Sequence, residues 1–182
     1  MNKKAQIWVE TVIYILIGLG VIAVLLAVIQ PRIEQMKDKS VIDSMSEGLS
    51  DLDKKINEIK LVSGRKEIIE IGLKKGELVI DPESNSVVFV LDNSKIEYSE
   101  IDRKIEKGAL TILTQKQRGN INISLSLDYP ELYLTYIGAE DSKRFSASNI
   151  PYRISIENLG DKEIGIGELK FSVTQIDFSS VS

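Results

Sequence analysis

From Thr11 to Ile29 the chain runs for 19 residues without a charge. As a helix rising about 1.5 Å per residue, that run is roughly 29 Å long, close to the thickness of a hydrocarbon core. Ile7, Trp8 and Val9 carry the apolar surface back past Glu10. The pattern predicts one transmembrane helix. The run is longer than the apolar region of a secretory signal, and Gln30-Pro31-Arg32 after it is no small-residue cleavage site, so the helix is expected to stay in the mature protein. Pro31 is expected to kink it, because proline removes a helix hydrogen bond and its ring clashes one turn back. Beyond Pro31, Ile42, Met45, Leu49, Leu52, Ile56 and Ile59 recur at steps of three and four, with Asp43, Glu47, Asp51, Lys54 and Lys55 on other faces. The stripe is short for an independent coiled coil, so docking on the protein's own sheet is the expected use. Ser63-Gly64 reads as the helix stop.

After Gly64 short apolar runs alternate with turn signals. Strands are predicted over Glu67–Leu73, Glu77–Ile80, Ser86–Leu91, Lys95–Tyr98, Ala109–Thr114, Asn120–Leu127, Leu132–Ile137, Tyr152–Glu157 and Leu169–Thr174. Lys75-Gly76, Asp81-Pro82, Asp92-Asn93 and Asn158-Leu159-Gly160 are the expected turns. Ile121, Ile123, Leu125 and Leu127 alternate with Asn122, Ser124 and Ser126, which predicts a strand with one buried and one solvated face. Val87-Val88-Phe89-Val90-Leu91 does not alternate and is expected to be covered on both sides. The fold class is therefore α+β: a long N-terminal helix followed by an antiparallel β-sandwich-like domain.

Composition narrows the chemistry. With 23 basic and 27 acidic residues the net charge is −4, which argues against a nucleic-acid partner. The chain has no Cys and no His, so Cys–His and Ser–His nucleophile pairs and a typical zinc site cannot be built. No catalytic residues, metal ligands or cofactor are expected, and the chain is not read as an enzyme. Asp81, Glu83, Asn85 and Asp92 have the alternate spacing of a calcium loop, but Ser86 stands where such a loop needs Gly, so a hairpin turn is expected. Asn122-Ile123-Ser124 is a sequon, which makes Asn122 a candidate for N-glycosylation. Gly18 and Gly20 lack small-xxx-small spacing.

Basic residues flank both ends of the apolar run (Lys3 and Lys4 before it; Arg32, Lys37 and Lys39 after it), so charge alone does not orient the helix. Glu10 is an acid inside an apolar helix, where it either reaches water at the interface or has a partner in an assembly. Lys3-Lys4-Ala5-Gln6, followed by Glu10 and the long apolar run, resembles the class III signal peptide of archaeal type IV pilin-like proteins. The resemblance covers residues 3–30. It implies cleavage between Ala5 and Gln6 by a prepilin peptidase, with Glu10 left as the fifth mature residue. Trp8 departs from the pattern, since many members have a small or hydroxyl residue there. The family also implies that the new amine of Gln6 pairs with Glu10 of a neighbouring subunit. Two weaker likenesses to archaeal surface proteins lie at Glu67–Asn93 and at the Asn158-Leu159-Gly160 end of a strand.

The resulting organisation is a signal peptide over residues 1–5, a transmembrane and filament-core helix over 6–30, its amphipathic continuation over 31–63 and an exported β-rich domain over 64–182. The function implied is a structural, adhesion-type subunit of a pilus-like surface filament, with the membrane, the peptidase and other pilin subunits as partners. The expected location is the cell membrane, with the C-terminal domain outside. The alternative is a non-polymerising, single-pass surface protein whose β-domain binds a ligand or partner.

Overall fold

The apolar run and the stripe behind it fall in one helix, α1 (Lys3–Ile59). The computed structural model describes residues 3–166 and 169–181. The chain divides between Lys37 and Asp38 into two compact units. In the first, α1 is apolar on every side, and Trp8, Ile13, Leu16, Leu19, Ile22, Leu25 and Ile29 are all exposed. By length and composition this helix is sufficient to cross a membrane. Pro31 sits inside α1, with helix assigned on both sides of it.

The second unit comprises the rest of α1 and ten strands. These are β1 (Lys66–Ile71), β2 (Glu77–Asp81), β3 (Ser86–Ser94), β4 (Lys104–Lys107), β5 (Leu110–Gln117), β6 (Asn120–Asp128), β7 (Leu132–Tyr136), β8 (Lys143–Ser146), β9 (Tyr152–Ile166) and β10 (Leu169–Ser180). They form a six-stranded sheet in the order β4-β5-β6-β3-β2-β8 and a four-stranded sheet in the order β1-β9-β10-β7. All pairings are antiparallel except β10 with β7. The layout is α+β: one long N-terminal helix followed by antiparallel-rich sheets.

The six stripe residues, Ile42 to Ile59, are almost wholly buried. They join one core with Ile69 and Ile71 of β1, Ile154 and Ile156 of β9, Ile176 and Phe178 of β10, and the inner residues of the six-stranded sheet, among them Leu78, Phe89 and Leu125. Spacing at three and four on the helix puts the stripe on one face, and period two on the strands does the same for each sheet.

Several strand-level expectations change, among them the predicted Asp92-Asn93 turn, which lies within β3 at a register shift between Leu91 and Ser94. The charged β4 and β8 were not predicted. Both are short edge strands rich in Lys, Arg and Glu, a composition that protects an open edge but carries little strand signal. Lys95–Tyr98 is not a strand; its groups bond to α1, as set out below. Val87–Leu91 is not covered on both sides: Val87, Phe89 and Leu91 are buried, whereas Val88 and Val90 are only half-buried. Asn158-Leu159-Gly160 is not a turn but lies within β9.

The last difference has a physical cause. Opposite Ile176 stands Asn158 and opposite Gln175 stands Gly160, so Leu159 is the extra residue of a β-bulge. The bulge turns Asn158, only 2% exposed, onto the end of α1. Its Nδ2 donates to the carbonyl of Ile59 at 2.9 Å, at the helix C-terminus, where that carbonyl also accepts from the Val62 amide at 3.1 Å. Its Oδ1 accepts from the Gly160 amide at 2.8 Å, and its own carbonyl accepts from the Gly64 amide at 2.7 Å. Gly160 has φ +90°, a backbone conformation that favours glycine. Replacing Asn158 by Ala leaves the Ile59 carbonyl and the Gly160 amide without these partners. Asn158→Ala is expected to lower stability by about 1–3 kcal/mol, measured by denaturant unfolding with the helix signal followed separately from the sheet signal.

Candidate functional site

The residues singled out at the N-terminus all fall on α1. Ala5 and Gln6 lie in its first turns, while Met1 and Asn2 of the expected leader are outside the described residues. Glu10 is exposed and accepts a hydrogen bond from the Tyr14 hydroxyl at 3.3 Å, one helical turn on. A single phenol satisfies part of a carboxylate and does not neutralise it. The carboxylate therefore heads a helical segment with apolar side chains exposed around it, from Trp8 to Ile29. This arrangement offers a large apolar surface with one acidic group near its start, suited to lipid or to other helices that bring a positive charge.

Asn122 is half-buried on the outer face of β6, opposite Gln115 of β5, and its Oδ1 accepts from the Asn93 amide at 3.2 Å. The sequon therefore lies on the solvated face, as its alternation implied, but in a central strand. The acids with calcium-like spacing do not converge. The side-chain oxygen of Asn85, at φ +49°, accepts from the Leu134 amide at 2.9 Å, and the Asp81 carboxylate accepts from the Ser84 hydroxyl. Among the described residues, no group of three or more acids is gathered in a metal-binding arrangement.

The second unit has a set of polar contacts that sequence reading missed. Asp38, only 2% exposed, is bonded by Lys75 and accepts from the Lys95 amide at 2.8 Å. Lys75 is delivered by a tight turn: Gly76, at φ +85°, lies so close to β3 that a Cβ would meet the Val90 carbonyl at 2.5 Å. Tyr98 donates its hydroxyl to Asp43 at 2.8 Å, and Tyr129 donates to Asp53 at 3.2 Å. Lys55 reaches Glu67 of β1 at 3.4 Å, and Arg65 reaches the same carboxylate at 3.1 Å. One sequence signal was available: Asp38 stands four residues before Ile42, so it continues the apolar stripe itself. An acid on the buried face of a helix needs a partner.

These contacts fix several protonation states. Hydrogen bonds from Arg65 and then Lys55 hold the Glu67 carboxyl below its ordinary range. Burial first, and then Asp43, raises the Tyr98 phenol. Burial first, and then the charge of Asp53, pushes the Tyr129 phenol well up. A phenol raised by folding stays protonated in the native state while the unfolded chain ionises. Its contribution is complete below about pH 10, the ordinary phenol value, and is lost as pH rises above it. Tyr129→Phe is expected to cost about 1 kcal/mol at neutral pH for the lost hydrogen bond. The same variant should lose less stability than the wild type as pH rises above about 10, which denaturant titrations on either side of that pH can read.

No family model, no curated protein and no solved structure matches the chain.

Proposed function

We propose that the chain is a structural subunit of an archaeal type IV pilus-like surface filament, made as a membrane-anchored precursor and assembled through α1. The observation that carries this reading is the exposed apolar segment of α1, headed by Glu10 and preceded by Lys3-Lys4-Ala5-Gln6. A prepilin peptidase cuts the Ala5–Gln6 peptide bond and leaves a positive amine on Gln6. In the filament that amine pairs with Glu10 of a neighbour, so a charge that is costly alone becomes tolerable in a low-dielectric core and sets the axial register of the subunits. The apolar segments bundle, and the β-domain, read as sandwich-like, faces the exterior. Adhesion would belong to that domain.

The mature chain is expected to begin at Gln6. N-terminal mass analysis of membrane-assembled protein that finds Met1 or Asn2 retained would leave only a non-polymerising, anchored surface protein. Glu10→Ala is expected to be cleaved and inserted, since it makes the helix more apolar. It is also expected to remain unassembled, because removing one partner of a buried pair costs about 3–5 kcal/mol. Equal yields of extracellular filaments from cleaved wild-type and Glu10→Ala chains would remove the pairing mechanism.

A further inference from the structure

Strands β7 and β10 are paired in parallel, with Asp177 opposite Thr135 and Gln175 opposite Tyr133. Ile176 and Phe178 of β10 and Leu134 and Tyr136 of β7 belong to the core, so Gln175, Asp177 and Thr135 lie on the other face of the sheet. Thr135 is nevertheless only 1% exposed. Its hydroxyl makes two bonds there. It donates to the Asp177 carboxylate at 2.7 Å and accepts from the Gln175 side-chain amide at 3.3 Å. The direction of both bonds follows from the groups themselves. A carboxylate only accepts, so the hydroxyl proton points at Asp177, and the end of Gln175 that faces the hydroxyl oxygen must be its NH2. The turn after β7 closes on the same carboxylate oxygen, which also accepts from the Gly138 amide at 2.8 Å. Tyr133 donates its hydroxyl to Glu140 beyond that turn, and the Lys162 ammonium of β9 lies 3.8 Å from the centre of the Tyr133 ring. The result is a hydroxyl closed off from water, a base that holds its proton and a carboxamide beside its oxygen lone pair.

We infer that these three side chains form a covalent ester between Thr135 and Gln175. The amide carbon is one bond, about 1.3 Å, beyond the nitrogen that touches the hydroxyl, so a small turn of the Gln175 side chain brings it to the oxygen. Thr135 Oγ1 attacks that carbon while Asp177 takes the hydroxyl proton. The tetrahedral intermediate then collapses. Its carbon–nitrogen bond breaks, Asp177 returns the proton to the nitrogen, and ammonia leaves. One hydroxyl and one carboxamide become one ester and one ammonia, with nothing oxidised or reduced. Asp177 acts first as general base and then as general acid. An ester is a weaker acyl bond than an amide, but well-oriented groups reach effective concentrations on the order of 10⁵ M or more, and the ammonia is lost to solvent. The step runs once per chain, as a self-modification. It ties the edge strand β7 to β10. It uses neither α1 nor cleavage before Gln6, and so goes beyond the filament reading.

Trypsin releases Thr135 within residues 119–143 and Gln175 within residues 171–182. In full-length protein purified in detergent, mass spectrometry of the digest should find these two fragments joined and lighter than their sum by one ammonia. An N-terminal Gln6 can also lose ammonia by cyclising, but it lies in another fragment. Hydroxylamine, which cleaves esters and spares amides, should separate the pair. Thr135→Ser should still join. Asp177→Asn, read at equal times after synthesis, should join about a hundredfold more slowly, the size of a general-base effect. Thr135→Val should give the fragments apart. Separate fragments from the wild-type chain, even after prolonged incubation, would overturn the inference and leave three hydrogen-bonded side chains; that outcome needs no variant to fold. A joined pair that resists hydroxylamine, or one that forms equally fast in Asp177→Asn, would overturn it as well.

Discussion

Hydrophobic packing holds the second half of α1 against the sheets but does not say where along them it should stop. The stripe from Ile42 to Ile59 repeats at the helical period, so a slide of one turn, about 5.4 Å, would present almost the same apolar face. Polar contacts remove that degeneracy. Asp38 with Lys75 and the Lys95 amide, Asp43 with Tyr98, Asp53 with Tyr129 and the Ile59 carbonyl with Asn158 are spread along the docked segment. A one-turn slip would break all of them and leave Asp38 buried without a partner, a cost of several kcal/mol. The burial supplies the affinity, and these contacts supply the register.

How much of this was legible depended on whether the signal was periodic. The helical stripe and the alternation in β6 come from repeating patterns, and the structure has both. Edge strands β4 and β8 were hidden because their charged side chains answer to solvent and to the need to discourage edge pairing. The Asn158 bulge was misread because Asn-x-Gly has the composition of a turn, and only the helix end above it shows why a strand should carry one. Val87–Leu91 was read correctly as apolar on both faces, yet the fold covers only one. Asp43 read as an acid on another face than the stripe, and Asp53 carried no signal that singled it out. Their tyrosine partners come from loops 55 and 76 residues away, a separation that no local pattern encodes.

The N-terminal segment poses the opposite problem. Its proposed chemistry sits in a few residues, Ala5, Gln6 and Glu10, and the fold gives Glu10 a bond from the Tyr14 hydroxyl. Helix propensity and hydropathy explain why the segment is an apolar helix, but neither explains an acid at position 10. In the second unit, by contrast, Asp38, the buried acid among the described residues, is accounted for by visible partners. Among the described residues Asp38 is paired with a cation and an amide, whereas Glu10 is bonded by a phenol, which leaves its charge to be balanced by a proposed partner outside the chain.

Strand β10 lies in the interior of the four-stranded sheet, between β9 and β7. It therefore completes a layer whose first member, β1, precedes it by about a hundred residues, whereas every strand of the six-stranded sheet has been made by Ser146. A chain that emerges N-terminus first can close one layer early but must wait for the other. Until β9 and β10 arrive, the α1 stripe lacks the cover that those strands give, the Ile59 carbonyl lacks its bond from Asn158, and β7 has no neighbour in its sheet. Such long-range closure is slow, since loop entropy is lost before the contacts form. The order of synthesis thus builds in an interval when the apolar flank of the helix is open and exposed to aggregation.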